Sequence, residues 1–545
     1  MTFQISHRQT IWLLAIFVAV TFFANNHVLV PDIMESRNIV TAREMVYDGN
    51  WVVTTMNGDL RLEKPPLPTW ATAIAEIISP DSLAWQRGMA GCAALLLVYF
   101  FYRFSKNILN INPVLATLVL CTCYNVVLMG RTASWDIYCH AFMMGAICFL
   151  AEALQKPGRQ WAGLTIAGIM TGLSIMSKGP VSLYGLFFSF IIAYTAVFRP
   201  KMKGKWLPVA TMILIALAIG AWWFVYIHLT CPEALANVAG KESGAWFNRN
   251  VRPWYYYWTF FLETGIWSVA MITTLVYAAV KGWKQLDHSF RMSIMWLLVA
   301  LLLLSLLPEK KNRYLLPILI PASFAIAGML ADITNANYKG RMSRFNRIAF
   351  MANGWILAAA CIIVAAAAIY LYFTGIMPVL PAAALVCASI ISAIIICSAV
   401  KKRSAMRIAT GVAVLFASAE CFAMPSIGRI FNNPEMRSIA LTRDMRQLDN
   451  ISFYHNADEP LRIELVYAAN RKIKPLDLDC PEKVMAALPC AIMTHKYATQ
   501  ELSPAITEKI DTVYVGQFDD NPRPRGNRRY KSDVIYHLTI LKEKK

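Results

Sequence analysis

Runs of about twenty apolar residues recur along this chain, each the length a helix needs to cross the hydrocarbon of a bilayer. About thirteen such runs are expected as spans, at residues 11–28, 83–102, 113–130, 135–154, 161–177, 180–198, 206–227, 257–280, 292–307, 315–330, 348–373, 378–400 and 408–422. They are too many and too long to be core helices of a soluble protein. With 57% hydrophobic and only 16% charged residues over 545 positions, the chain reads as integral to a membrane. No signal-peptide cleavage site follows the first run, so that run is expected to stay as a span.

The net charge of +19 points to topology rather than to nucleic acid, because Lys and Arg are spread over short loops between spans. One side carries Arg8, Arg103, Lys106, Lys156, Arg159, Arg199, Lys201, Lys203, Lys205, Lys281, Lys284 and Arg291. It also carries Lys339, Arg341, Arg344, Arg347, Lys401, Lys402, Arg403 and Arg407. By the positive-inside rule this side is cytoplasmic. The expected fold class is therefore an α-helical polytopic membrane protein. Residues 1–424 form the transmembrane domain, with an outer insert at 29–82, and residues 425–545 form a small C-terminal periplasmic α/β domain.

The insert concentrates ionisable groups. Residues 37–48 read as an amphipathic helix, with Ile39, Val40, Ala42, Met45 and Val46 on its apolar side and Gly49 as its stop, and it is expected to lie along the membrane surface. Residues 51–63 alternate around Asn57-Gly58, a hairpin signal that leads to Glu63 and Lys64 before Pro65-Pro66. In the tail, strands are expected at 451–454, 490–494, 512–517 and 534–541, with a helix at 435–448. The basic run 523–529 reads as a solvated loop that can also touch phosphate or anionic lipid. Cys480 and Cys490 can pair if the tail meets an oxidising compartment. The remaining cysteines mostly sit in apolar runs and act as small hydrophobes.

Ionisable groups at membrane depth are costly and usually functional. Asp136 follows Arg131 by five residues at the start of a span, where Arg131 and the helix N-terminus are expected to hold it ionised. A plain N-terminal acid favoured by the macrodipole is the simpler reading. Lys178, in IMSKGPVSL, ends one span before another; snorkelling is its simpler reading. Glu309, Lys310, Lys311 and Arg313 break the apolar stretch 292–330 against the positive-inside rule.

ESRNIVTAREMVYDGNWVVTTMNGDLRLEKPPLPTW closely resembles the first outer loop of the lipid A 4-amino-4-deoxy-L-arabinose transferases. It is similar also to their bacterial relatives in the protein O-mannosyltransferase group of C-type glycosyltransferases. The resemblance extends to Arg131 with Asp136, SKGP at 177–180, RPWYYYW at 252–258 and KKNRYLLP at 310–317. It implies an inverting enzyme that moves a sugar from a polyprenyl-phosphate donor to lipid A or another envelope glycan, at the periplasmic face of a bacterial inner membrane and among membrane lipids. A protein acceptor is the runner-up.

Such a displacement needs a carboxylate to take the acceptor's proton and cations to stabilise the departing phosphate. Lys64, Lys178 and an arginine from Arg249, Arg252 or Arg313 can bind the phosphate, with a hydrogen bond from Tyr314. Arg37, Arg131, Glu63 and Lys310 are read as supporting residues. Where the family has Asp before Glu, this chain has Met34 before Glu35. Glu35, Asp32 or Asp136 can supply the missing carboxylate; Glu35 is favoured as the base, with Asp136 as the second acid. A divalent cation beside Glu63 is the one cofactor the resemblance suggests, although residues 232–256 lack histidine. A transporter or flippase would also have many spans and buried charges. Here the charges cluster at one face and in a long insert, rather than at midplane broken helices between repeats.

Overall fold

The computed structural model describes residues 6–544 apart from 157, 159, 529 and 531. Arg159 and the last arginine of the 523–529 run lie outside the described residues. The chain divides into two compact units: Met1–Asn26, Leu62–Ala71 and Ser82–Pro425 form the first, while His27–Arg61, Thr72–Asp81 and Ser426–Lys545 form the second. The sequence reading places a boundary at 424/425, beside the observed one. The insert, however, divides, and most of it joins the C-terminal residues rather than the transmembrane helices.

The first unit is helical. All thirteen apolar runs lie in helix for most of their length. Among the described residues, nine helices are long and apolar enough to cross a membrane, or ten if Pro113–Leu120 and Tyr124–Gly130, bent by 76°, make one broken span. His7–Phe23 and Leu183–Phe198 are shorter. The core is aromatic: Phe101 stacks on Phe324 at 3.9 Å, and Phe104 and Phe190 pack edge-on to Trp296. Helices Gln160–Lys178 and Trp206–Thr230 pack closely through glycines. A Cβ on Gly168 would stand 2.6 Å from the Met212 carbonyl, and one on Gly172 would stand 2.6 Å from Ile219, so backbone contact here requires small residues.

The second unit holds the amphipathic helix, which begins earlier than expected, at Ile33–Asp48. Asp32 caps it by accepting from the amides of Met34 and Glu35, and the Glu35 carboxylate accepts from the Asp32 amide at 3.3 Å, a reciprocal capping box. Gly49, at φ 79°, ends it in the left-handed region. The expectation that its apolar side faces lipid is corrected. Ile39, Val40, Ala42 and Met45 are buried against protein, and Val40 packs into a core with Leu465, Phe453 and Leu538.

The expected hairpin is present, with β1 (Thr55–Met56) antiparallel to β2 (Asp59–Leu60) and positive φ at Asn57 and Gly58, as a two-residue hairpin turn requires. The Asn57 side chain donates to the Ile473 carbonyl at 2.6 Å and accepts from the Ile473 amide at 2.8 Å.

Five further strands, β3 (Ser452–Asn456), β4 (Ile473–Leu476), β5 (Cys490–Thr494), β6 (Ile510–Asp519) and β7 (Ile535–Glu543), form one mixed sheet in the order β4-β3-β5-β7-β6. β4 escapes the sequence reading because its IKPL contains a proline, tolerated here at a sheet edge. The helix expected at 435–448 is replaced by short turns, Ile439–Asp444 and Arg446–Leu448. Arg437 instead bridges Asp519 in extended form, and the Asp520 carboxylate takes the Ser438 hydroxyl and the Ile439 amide. Cys480 and Cys490 are free thiols.

Candidate active site

Asp136 opens the helix Asp136–Gln155, and Lys178 is the last residue of Gln160–Lys178. Gly179, at φ 73°, takes the left-handed conformation that stops this helix, and Pro180 keeps it from resuming. A second tie aligns the two helices: the Ser174 hydroxyl contacts both the Cys139 carbonyl and the Ser182 hydroxyl at 2.6 Å. The result is a direct Lys178–Asp136 ion pair. Both side chains are about 5% exposed, so neither snorkelling nor a solvated helix end accounts for them.

The expected Arg131–Asp136 pairing is corrected. Arg131 turns instead to Glu420 at 3.0 Å, and to the carbonyls of Thr21 and Ala24 at 2.7 and 2.6 Å. Its guanidinium thus ties the end of His7–Phe23 to the last membrane helix. Glu420 is not among the residues the sequence analysis names, and an acid inside the apolar run 408–422 is the signal that points to it.

Tyr314 stands beside the ion pair. The Lys178 Nζ lies 5.1 Å from its ring centre, the Lys311 Nζ 5.6 Å and the Arg313 Cζ 6.0 Å, within the range where a cation feels an aromatic face. Glu309 binds Lys311 at 2.5 Å and approaches Arg249 at 3.9 Å. Burial holds Lys310 and Lys311 below the ordinary lysine range, with Glu309 pulling Lys311 back up.

Two loops frame this cluster. Val251 bridges Glu309, the Arg252 amide donates to the Pro308 carbonyl at 3.2 Å, and the Lys310 amide donates to that of Asn250 at 3.1 Å. Tyr257 clamps Lys311 by donating to its carbonyl at 3.1 Å and accepting from its amide at 2.9 Å. The broken span supports them from below, where Asn125 donates to Glu263 at 3.0 Å and to the Asn312 carbonyl at 3.2 Å.

Lys178, Arg249, Arg313, Tyr314 and Asp136 are thus brought together, with Lys311 and Glu309 added by the structure. Lys310 serves otherwise: its ammonium donates to the Leu307 and Arg252 carbonyls, so it fastens the loops. Arg252 is exposed, and its backbone does the pairing. Lys64 is half-buried and Glu63 exposed. Glu35 and Arg37 belong to the second unit, where the Arg37 carbonyl accepts from Arg61 at 2.9 Å. Among the described residues no three His, Cys, Asp or Glu side chains gather to hold a metal ion, and an exposed Glu63 does not by itself make a site for a divalent cation.

Among the described residues, the cations Lys178, Lys311 and Arg313 face the Tyr314 ring, Arg249 approaches Glu309, and the carboxylates of Asp136 and Glu309 are each paired with one of these cations. Cations held by packed loops next to a buried acid suit an anionic ligand whose charge grows during reaction.

The arrangement of helices is that of a C-type glycosyltransferase fold carrying a small sheet-containing domain. A crystal structure of ArnT from Cupriavidus metallidurans bound to undecaprenyl phosphate superposes with TM-score 0.67 at 15% identity over 98% of both chains. The apo form of the same protein gives 0.62. The family described as dolichyl-phosphate-mannose-protein mannosyltransferase matches residues 63–223, a segment that contains Lys64, Asp136 and Lys178.

Among curated relatives, undecaprenyl phosphate-alpha-4-amino-4-deoxy-L-arabinose arabinosyl transferase 1 of Pseudomonas fluorescens is 24% identical over 60% of this chain and 59% of its own length. The corresponding transferase of Edwardsiella ictaluri is 24% identical over 58% and 57%. The chain therefore spans less than two thirds of the length of these curated relatives. In fold and in these matched segments it is ArnT-like.

Proposed function

We propose that this protein is a polyprenyl-phosphate-sugar-dependent glycosyltransferase acting at the periplasmic face of a bacterial inner membrane, with lipid A or another envelope glycolipid as acceptor. The observation that carries the reading is the gathering of Lys178, Lys311 and Arg313 around Tyr314, beside the buried Asp136. In this reading the donor's phosphate enters among these groups. The phosphate is the leaving group, and fixed cations stabilise the charge it gains as the glycosidic bond breaks. Attack by the acceptor hydroxyl from the opposite side inverts the anomeric carbon, and its proton goes to a carboxylate.

Glu35 is the proposed base and Asp136 the orienting acid. Lys178 holds the Asp136 carboxylate in an ion pair, and an arriving phosphate would compete with it for Lys178, freeing Asp136 to act as the base instead.

The test is reconstitution of the purified protein with an undecaprenyl-phosphate-linked aminoarabinose and lipid A, read by mass spectrometry for one added sugar. Transfer with inversion supports the proposal. If the donor is neither bound nor consumed with any envelope acceptor, the proposal is wrong. A protein acceptor is the second reading, favoured by the protein-directed family that matches residues 63–223. Glycopeptides lost on deletion of the gene, with lipid A unchanged, would select it.

A further inference from the structure

The helices Arg344–Phe373 and Val379–Lys402 form a hairpin that fits closely at one end, where a Cβ on Gly354 would run into the Val400 side chain. Along the outside of the pair runs a cavity of about 760 Å³. Ile362, Ile369, Ile390 and Ile394 line it, and the small side chains of Ala365 and Ala366 leave its volume open. At one end the lining changes to Ser398, Lys401 and Lys402.

This end is strongly positive. The sequence holds no Asp or Glu from 333 to 419, yet it places Lys339, Arg341, Arg344, Arg347, Lys401, Lys402, Arg403 and Arg407 there. Arg403 is committed to the Asn337 side chain at 2.8 Å, while Arg407 donates to the Ser398 hydroxyl on the cavity wall at 2.9 Å. Both lysines are exposed. Positive-inside topology and a helix C-terminus explain basic residues at this position. Neither explains why they end an apolar groove cut between two membrane helices.

We infer that this groove binds a phospholipid with an anionic headgroup, its acyl chain along the isoleucine and alanine walls and its phosphate at Lys401 and Lys402. Apolar contact alone does not discriminate among lipids, because all acyl chains are equally apolar. Selectivity comes from the two ammonium groups, each of which gains from a negative headgroup at the surface. The occupant is a structural diacyl lipid rather than the donor, because the loops at this end belong to the side read as cytoplasmic, opposite the Asp136 cluster.

The test uses the full-length protein in detergent, exposed to dipalmitoyl phosphatidylglycerol or dipalmitoyl phosphatidylcholine and read by native mass spectrometry. The wild type should retain the anionic lipid about tenfold better. Lys401→Gln with Lys402→Gln should bring the two lipids level, and Lys401→Arg with Lys402→Arg should keep the preference. Ile394→Trp, which fills the groove, should lower retention of both. Lys339→Gln with Arg341→Gln removes as much charge outside the groove and should leave the preference intact. Equal retention by the wild type overturns the site. So does a preference unchanged in the Lys401/Lys402→Gln variant, or lost equally in the Lys339/Arg341 variant. Displacement of phosphatidylglycerol by equimolar undecaprenyl phosphate would overturn the assignment of the occupant. Unchanged melting temperatures establish that each variant is folded.

Discussion

Burying Lys178 and Asp136 together takes two charges out of water at a cost of several kcal/mol per ion, which their attraction offsets only with help from neighbours. The Tyr314 face supplies some of that help at 5.1 Å. Lys178→Ala should therefore reduce turnover by about 30- to 1000-fold if the lysine stabilises about 2 to 4 kcal/mol of transition-state charge. It also strands Asp136, so the melting temperature must be recorded alongside the rate. Near wild-type turnover and donor affinity in this variant would remove Lys178 from the phosphate site.

With the melting temperature recorded alongside the rate, Glu35, the proposed base, can be tested with Glu35→Gln, a substitution the capping box accepts. It should abolish turnover and retain donor binding. A fully active Glu35→Gln enzyme beside an inactive, folded Asp136→Asn enzyme would reverse the two roles. Glu309 gives a test by pH. Burial lowers the Lys311 pKa and Glu309 raises it, so Glu309→Gln should let Lys311 lose its proton at lower pH. The donor KM should then begin to rise at less alkaline pH than in the wild type; superimposable KM profiles would show that Lys311 does not meet the donor.

At the level of elements, Arg131 and Glu420 join the end of the first helix to the last membrane helix. Glu420→Ala leaves a guanidinium buried without its counter-ion, and breaking a buried pair this way costs about 3–5 kcal/mol. The variant should unfold at distinctly lower temperature, and Glu420→Gln, which keeps a hydrogen-bond acceptor, should lose less. Equal melting temperatures for wild type and Glu420→Ala would show that the pair does not hold these helices.

This pair also marks where sequence reading stops. Asp136, Lys178 and Arg131 are legible because each is an ionisable group beside apolar residues. Partner choice is not legible, because it depends on which helices cross. Arg131 lies five residues from Asp136 but bonds Glu420, whereas Lys178 comes from the next helix. Local signals fared better: Asn57-Gly58 and Gly49 fix their turns through backbone sterics alone. The outward-looking apolar side of Ile33–Asp48 misled because apolar residues at helical spacing do not reveal whether lipid or protein covers them.

At the scale of the whole molecule, the proposed reaction needs its charged groups on the side opposite the basic loops. The distribution of Lys and Arg over short loops favours that side, because it sets orientation during insertion. Asp59 is exposed on the hairpin and Gly244 on the helix Pro232–Asn248; Lys203 and Arg341 are exposed in loops on the basic side. Single substitutions to cysteine at these four positions, made without the exposed Cys92 and Cys387, give a direct reading with a membrane-impermeant maleimide. Asp59→Cys and Gly244→Cys should react in cells whose outer membrane alone has been made permeable. Lys203→Cys and Arg341→Cys should react only after the inner membrane is opened. Reaction in the reverse order would put the Tyr314 cluster on the cytoplasmic side. The donor would then have to be used before it crosses the membrane, and the proposed site of transfer would fail.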